Sequence, residues 1–372
     1  MKEEIKSDVT NFLHQLEMVC FRGFDRFLLQ GLHPFTIIGG RNNVGKTSIL
    51  EALYYLANRS VGVAPGRLML SRKMSLRRRD LSPLFYCGRQ DLGIHINAFF
   101  SDGARRSLTL EKTDKSVVDL NLEQQDEFAL RGETSPSVYV QRGETTYSNG
   151  EKSLALSMLY FTHSEYKTRD MELKGDGEHS GKAWEDRWKC HYYQSRVMAN
   201  MSELYRTVFR LKREKFLQEA LYLCDRRVRD VVFDGEQLLI DIGLGESRLP
   251  VEVMGDGMIK IADIMALVAL SNPGDMLCID EIENGLHYSV MGKFVRALSE
   301  FAGNREVQIV ATTHSREFLQ QLSSVGEDSS VLSESGYFAY QNLIRWEDGK
   351  LESLVYDFEQ FSSAVDAGKE IR

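Results

Sequence analysis

The residues with the clearest chemical meaning form the pattern Gly-x-x-x-x-Gly-Lys-Thr at 40–47, which is the pattern of a phosphate-binding loop. Its glycines would let backbone N–H groups turn inward toward a phosphate, and a following helix would add the partial positive charge of its N-terminus. Lys46 would supply a full charge to the β- and γ-phosphates, and the Thr47 hydroxyl would bind Mg²⁺. The residues predicted to bind nucleotide here are Gly40, Asn42, Asn43, Gly45, Lys46, Thr47 and Ser48.

Two further groups, each at the end of an apolar run, could complete a hydrolytic site. The run Met276–Ile279 ends in Asp280 and Glu281. Asp280 would join the Mg²⁺ shell with Thr47, and Glu281 would orient and deprotonate the attacking water. The run 307–312 is followed closely by His314. A lone histidine is more often structural, but at this place it could sense the γ-phosphate.

A second potential anion site precedes a long apolar helix at 259–270. Gly255 and Gly257 are separated by Asp256 just before that helix. Two glycines at a helix start leave backbone N–H groups accessible to an anion. The pattern alone is not specific for nucleotide. Beside the phosphate loop, it makes Gly255, Asp256 and Gly257 candidates for nucleotide binding.

These groups require an α/β scaffold, and the sequence predicts one. Phe35–Ile38 is an apolar, β-branched run typical of a buried strand, and 48–56 has helical periodicity. Alternating apolar and polar residues over 92–140 predict antiparallel strands. We therefore expect a mostly parallel core sheet with a flanking antiparallel β-sheet.

The expected division of the chain has three parts. Residues 1–149 would form an N-terminal lobe that carries the phosphate loop, and 233–372 would form a C-terminal lobe that carries the acids and His314. Helical periodicity in 202–211 and 216–224 predicts a helical insertion between these lobes, over 150–232.

Composition restricts the class of protein and its partners. The chain has 372 residues, 42% of them hydrophobic, with no apolar run long enough to span a membrane. Five scattered cysteines without a Cys-x-x-Cys pair are typical of reduced cytosolic thiols, so we expect a cytoplasmic protein. The net charge of −8 argues against bulk nucleic-acid binding. A basic cluster, Arg67–Arg79, is either a solvated loop or a local contact for nucleic acid or a partner.

In their order and spacing, these motifs resemble the ABC-type ATPases, and within them the branch that contains RecF, SMC heads and the OLD ATPases. Three stretches carry the resemblance to the OLD-like members: Phe21–Phe24, Ile279–His287 and Ala311–Ser315. The resemblance implies that 40–47 is Walker A, that the nucleotide is ATP, that Asp280 and Glu281 are the Walker B aspartate and the catalytic base, and that His314 is the switch histidine. It also places Arg22 among the nucleotide-binding residues and leaves Gln90 and Gln141 both open as the Q-loop glutamine.

The resemblance further implies that Gly255 to Gly257 occupy the signature motif, although Gly255 stands where a transporter ATPase has serine. That departure argues against a transporter ATPase. ATP would be sandwiched between two copies of the chain in a homodimer or a higher homo-oligomer. OLD proteins carry a TOPRIM nuclease after the ATPase, and we expect none here.

Stand-alone ATPases of this kind resemble the sensor halves of antiphage systems such as PARIS or Septu, whose separately encoded effector is a TOPRIM or HNH nuclease or a toxin. Two hypotheses follow from the resemblance. The chain is either an ATP-driven switch that controls an effector or a RecF-like repair ATPase that binds DNA directly.

Overall fold

The computed structural model describes residues 11–57, 81–113, 138–161, 166–173, 188–194, 201–243, 247–327, 329 and 331–368. The strands in these ranges are β1 (Leu13–Phe21), β2 (Phe24–Gln30), β3 (Phe35–Gly40), β4 (Ile94–Phe100), β5 (Arg105–Thr113), β6 (Val138–Thr146), β7 (Lys152–Phe161), β8 (Tyr166–Leu173), β9 (Cys190–Tyr193), β10 (Asp230–Phe233), β11 (Leu238–Asp241), β12 (Leu249–Pro250), β13 (Met276–Ile279), β14 (Gln308–Thr312), β15 (Phe338–Arg345) and β16 (Leu351–Tyr356). The α-helices are α1 (Lys46–Ala57), α2 (Met201–Arg210), α3 (Glu214–Cys224), α4 (Asp256–Leu270), α5 (Tyr288–Asn304), α6 (Arg316–Glu327) and α7 (Phe358–Asp366).

The chain divides into two compact units. Unit 1 comprises Met1–Phe12, Gly31–Leu50 and Arg187–Arg372. Unit 2 comprises Leu13–Gln30 and Glu51–Asp186. The basic cluster Arg67–Arg79 lies outside the described residues.

Unit 1 is built on a six-stranded sheet in the order β16-β15-β3-β14-β13-β9. From β15 to β9, neighbouring strands are parallel, and β16 pairs antiparallel with β15 at the edge. Strands β3, β13 and β14 are buried along their whole length, as expected for parallel strands that are covered on both faces. The structure thus confirms the predicted core sheet.

The register of this sheet brings the predicted functional groups to one edge. Ile38 of β3 pairs with Thr312 of β14, and Ala311 pairs with Ile279 of β13. Because these strands are parallel, their carboxyl ends lie side by side. This is the edge at which open α/β sheets bind ligands. The helices α2 to α7 supply apolar side chains to the core of the unit, together with the sheet.

Unit 2 contains a seven-stranded antiparallel sheet in the order β2-β1-β4-β5-β6-β7-β8. In β4, every second residue is buried, which is the pattern of a sheet with one face on a core. The alternation over 92–140 predicts antiparallel strands, and in the described part of that range the structure confirms them as β4, β5 and the start of β6.

The prediction of a helical insertion over 150–232 is wrong for its first part. Lys152–Phe161 and Tyr166–Leu173 are the strands β7 and β8, which extend the antiparallel sheet of unit 2 beyond residue 150. Leu, Ala and Met in β7 have good intrinsic helix propensity, but pairing with β6 and β8 determines their conformation. Helices occur in the second part, as α2 and α3.

None of the helices in the described ranges is long and apolar enough to cross a bilayer.

Candidate nucleotide site

The phosphate-binding loop joins the end of β3 to the start of α1, and its backbone explains its glycines. Gly40 has φ +134°, and a Cβ added there would lie 2.6 Å from the backbone oxygen of Leu343 in the adjacent strand β15. Gly45 has φ +113°, and Asn43 also has a positive φ, +63°, a conformation that asparagine adopts more readily than most residues. The loop therefore needs glycine where β15 approaches closely and where φ is positive, and asparagine is tolerated at the third such position.

Lys46 folds back across this loop at the first position of α1. Its Nζ donates hydrogen bonds to the carbonyl oxygens of Gly40, at 2.6 Å, and Arg41, at 3.0 Å. Burial lowers the pKa of Lys46, while nearby carboxylates oppose that shift. These carboxylates belong to Glu283, Asp280 and Glu281. The ammonium of Lys46 therefore lies on the phosphate loop, close enough to the acids that follow β13 for their charges to act on it.

Asp280 connects the ends of two core strands, β13 and β14, to the phosphate loop. Its Oδ1 accepts hydrogen bonds from Thr47 Oγ1 at 3.1 Å and from Thr312 Oγ1 at 2.7 Å. Asp280 is buried. A hydroxyl and a carboxylate at this distance fit a Mg²⁺ site of the kind in which the protein supplies one or two ligands and phosphates and waters supply the rest. In the described part of the chain, no cluster of three or more His, Cys, Asp or Glu side chains offers a metal site.

Glu281, the predicted base, has an unusual backbone conformation. Its φ is +51°, in the left-handed region, and its N–H donates to Thr312 Oγ1 at 2.9 Å. Its side chain is half exposed, and its Oε2 accepts a hydrogen bond from Asn284 Nδ2 at 3.3 Å. A carboxylate that is positioned but still open to solvent is suited to accept a proton from water.

His314 lies against two carboxylates. Its Nδ1 is 3.2 Å from Glu283 Oε1 and 4.0 Å from Glu281 Oε1. The same Glu283 oxygen accepts the backbone N–H of His314 at 3.0 Å. The predicted switch histidine therefore contacts the predicted base through its ring and is held by Glu283.

Glu283 is a site residue to which the sequence reasoning assigned no role. It is buried, and its Oε2 has no hydrogen-bond partner among the described residues. The signal was the third acid in Asp280-Glu281-Ile282-Glu283, two residues beyond the predicted base. A buried carboxylate with an unsatisfied oxygen is costly, which is typical of a functional site.

The predicted signature residues lie at the start of α4. Gly255 precedes the helix with φ +94°, and both Gly255 and Asp256 are exposed. Gly257 packs against the loop that follows β13, because a Cβ there would lie 2.9 Å from the oxygen of Gly285. A nucleotide contact at this helix start stays a prediction.

Arg22 belongs to unit 2 and has a structural partner there. Its guanidinium forms a two-pronged ion pair with Glu51, with Nε to Oε2 at 3.0 Å and Nη2 to Oε1 at 3.3 Å. Its Nη1 donates to the carbonyl of Pro83 at 3.0 Å. Both charged side chains are almost fully buried. The nucleotide contact predicted for Arg22 stays a prediction.

The chain is similar in sequence to known proteins. A protein of Helicobacter pylori (strain ATCC 700392 / 26695) named "ATP/GTP phosphatase" is 23% identical over 362 residues, which cover 86% of this chain and 89% of that protein. An uncharacterized protein of Methanocaldococcus jannaschii is 27% identical over 161 residues, which cover 39% of this chain and 72% of that protein.

Among solved structures, the fold is similar to an Smc head domain derived from Pyrococcus furiosus, bound to the C-terminal domain of ScpA. The TM-score is 0.51 at 11% identity, over 96% of this chain and 99% of that one. This likeness concerns the fold alone. A family model described as "AAA domain, putative AbiEii toxin, Type IV TA system" matches residues 35–320. That range contains the phosphate loop, both acids of the β13 end and His314, so the chain belongs to this family of ATPase domains.

Proposed function

We propose that the chain is an ATP-driven switch, which binds ATP with Mg²⁺, associates with a second copy through the nucleotide and controls a separate effector. The observation that carries the catalytic part is the convergence on Asp280 Oδ1 of two hydroxyls, from Thr47 and Thr312, beside the Lys46 ammonium. The name of the Helicobacter pylori relative, "ATP/GTP phosphatase", supports hydrolysis of a nucleoside triphosphate.

Each residue of the site would have its own role in the reaction. The Lys46 ammonium would exchange its carbonyl partners, Gly40 and Arg41, for β- and γ-phosphate oxygens. Thr47 and Asp280 would hold Mg²⁺, which supplies charge neutralisation to the phosphates. Glu281 would take a proton from the attacking water, and the ring of His314, 4.0 Å from its carboxylate, would orient that carboxylate.

The Glu281→Gln variant tests the catalytic proposal. The amide preserves the shape of the side chain but cannot act as a base. We expect nucleotide affinity close to that of the wild type and phosphate release reduced by at least about 10²-fold. ATP and GTP are measured in parallel, which also determines the preferred base. Hydrolysis at the wild-type rate by Glu281→Gln would refute the assignment of the base.

Association through the nucleotide is proposed from the start of α4. Its helix N-terminus carries a partial positive charge and is exposed at Gly255 and Asp256. Two apolar side chains are exposed here: Val253, just before this helix, is 65% exposed, and Tyr288, just after the Gly285 loop on which Gly257 packs, is 60% exposed. If a second copy covered the γ-phosphate with this surface, water would be removed and every donor contact would be strengthened.

The test is the association state of the Glu281→Gln variant with and without ATP, measured by light scattering. ATP should increase the associated fraction, and Gly257→Asp should prevent the increase because it places a carboxylate against phosphate. Since any side chain at 257 also meets Gly285 in its own chain, Gly257→Ala is the matched control for crowding. Equal association of the Asp and Ala variants would contradict a contact between this segment and nucleotide.

Control of a separate effector is proposed from the resemblance to ATPase halves of antiphage systems, and the family description names a toxin–antitoxin system, which has two components. The alternative is a RecF-like repair ATPase, supported by the Arg67–Arg79 cluster. A filter-binding titration distinguishes them, because direct binding to DNA requires an affinity that falls steeply as salt rises. The net charge of −8 favours the switch. DNA affinity with such a slope would favour the alternative.

A further inference from the structure

Lys260 is a buried lysine in α4 with no role in the reaction proposed above. Its exposed fraction is 3%. Its Nζ donates hydrogen bonds to two backbone oxygens of the loop after β13, those of Glu281 at 2.7 Å and Asn284 at 3.0 Å. The ammonium also lies 5.9 Å from the centre of the Tyr193 ring. Burial lowers the pKa of Lys260 to about 8, against the opposing effect of nearby carboxylates. A buried ammonium is costly unless its partners compensate, and here the two carbonyl contacts and the nearby carboxylates do so.

The first of these carbonyls belongs to a strained residue. Glu281 has φ +51°, which costs energy for any residue other than glycine and persists where the surroundings impose it. Both of its backbone polar groups are held by side chains. Its N–H donates to Thr312 Oγ1. Its carbonyl accepts from Lys260 Nζ at 2.7 Å and from the backbone N–H of Asn284 at 2.9 Å. Without Lys260, the Glu281 carbonyl would lose its charged donor and keep the Asn284 N–H, so relaxation of this peptide to an ordinary conformation would be less strongly opposed.

Lys260 also lies in the first turns of the helix whose N-terminus is exposed. That helix begins just after Gly255, and at Gly257 its backbone packs on Gly285. The start of α4 is thus connected twice to the loop that carries Glu281, by van der Waals contact at Gly257 and by hydrogen bonds at Lys260. A displacement of the α4 N-terminus would therefore change the backbone of Glu281.

We propose that Lys260 is a positioning residue for Glu281: its ammonium fixes the left-handed backbone of Glu281 and couples that residue to the N-terminus of α4. This inference rests on the proposed function, in which Glu281 is the base. It adds a means of regulation, because whatever engages the start of α4 in the assembled protein acts on the base of the same chain. Lys260 touches neither substrate nor Mg²⁺ in this role.

The test compares Lys260→Met with wild type for ATP hydrolysis, with kcat and KM measured separately. Misplacing a catalytic group lowers the rate by roughly ten- to hundredfold, so we expect a loss of that order in kcat with KM within about twofold. Lys260→Arg, which keeps a charged donor, should recover part of kcat. Lys293→Met on α5, where the lysine is exposed, is the matched control and should leave both constants unchanged.

Nucleotide affinity in the Glu281→Gln background separates positioning from general damage. There, Lys260→Met should leave ATP affinity unchanged, because the base that Lys260 positions is already absent. Loss of affinity equal to the loss in kcat, or a wild-type kcat in Lys260→Met, would overturn the inference. If Lys260→Met does not fold, Lys260→Gln answers the same question, since its side chain is polar but uncharged and one bond shorter, so it cannot replace the ammonium and should likewise lower kcat alone.

The outcomes also distinguish this inference from the proposed function. If Glu281→Gln loses hydrolysis while Lys260→Met and Lys260→Gln retain it, the coupling fails and the base assignment stands. If Glu281→Gln hydrolyses ATP at the wild-type rate, the base assignment fails and the inference fails with it.

Discussion

Thr312→Val is the substitution whose effect can be worked out most directly from the structure. The Thr312 hydroxyl donates to the Asp280 carboxylate at 2.7 Å and accepts the Glu281 N–H at 2.9 Å, and the residue is 1% exposed. A hydrogen bond to a charged group contributes about 1.5–3 kcal/mol and one to a neutral group about 0.5–1.5 kcal/mol. Because valine is close to threonine in shape, the expected loss in the free energy of unfolding is the sum of the two contributions, about 2–4.5 kcal/mol.

The functional effect should exceed this loss of stability. Thr312 orients the predicted Mg²⁺ ligand and the predicted base together, and residues that orient metal ligands typically affect metal affinity or activity by about 10–100-fold. The assay is phosphate release at saturating ATP as a function of Mg²⁺ concentration, with urea unfolding measured alongside. We expect a lower kcat and a Mg²⁺ midpoint raised by about 10-fold or more.

Thr36→Val is the matched control for this experiment. Thr36 is fully buried in the adjacent strand β3, and its hydroxyl also makes two hydrogen bonds, to the backbone N–H and carbonyl of His33. It should lose about 1–3 kcal/mol of stability without a change in the Mg²⁺ midpoint. If both variants lost stability and neither changed the midpoint, the role assigned to Asp280 would be refuted.

Three further predictions concern Lys46, the Arg22–Glu51 ion pair and Asp263. Lys46→Ala should abolish ATP binding, measured by fluorescence titration, because the phosphates lose the charged donor at 40–47; retained affinity would contradict the site. Arg22→Met should lower the free energy of unfolding by about 3–5 kcal/mol, since it removes the bidentate guanidinium from the buried Glu51 carboxylate, and adding Glu51→Met should recover much of that loss; an unchanged urea midpoint would contradict a stabilising role of this charge pair. Burial raises the pKa of Asp263 to about 6, above the unfolded value of about 3.9, so its contribution to stability is complete below pH 4 and is lost as the pH rises through 6. Asp263→Asn should remove that slope, because the amide does not titrate, whereas a slope like that of the wild type in urea unfolding would show that another group titrates.

The parts of the fold that the sequence predicted are those that depend on local chemistry. The glycines of 40–47 are required by backbone angles and by a close approach to β15, so their spacing is visible in the chain itself. Strands β3, β13 and β14 are continuous apolar runs, and burial on both faces makes such runs recognisable. The acids at the end of β13 follow from the same pattern.

The parts that could not be predicted depend on partners distant in sequence. Strand β15 pairs with β3 across about three hundred residues, and nothing local in 338–345 marks that pairing. The short strand β9 joins the edge of the core sheet through β13. Strand β7 contains residues compatible with a helix, and its conformation is decided by β6 and β8. Hydrophobic periodicity reports only the local pattern, so it cannot reveal these pairings.

The same distinction applies to the site. Lys260 and Glu283 are ordinary charged residues in the sequence, and their roles appear once tertiary contacts are known. Lys260 meets the Glu281 carbonyl from another element, and Glu283 meets His314 from a neighbouring strand end. Residues that hold other residues in place carry no motif of their own, because their partners can be supplied by any element that packs nearby.

The two glycines at the start of α4 show why a motif and its function must be argued separately. Gly255 has φ +94°, and a side chain at Gly257 would meet the Gly285 oxygen. Both glycines are therefore required by the chain itself, so their presence is no evidence for an anion at this place. What supports the proposed nucleotide contact is the exposure of the helix N-terminus together with its connection, through Lys260, to the backbone of Glu281. A contact made at that N-terminus would act directly on the residue assigned to hydrolysis, which is the property that a nucleotide-controlled switch requires.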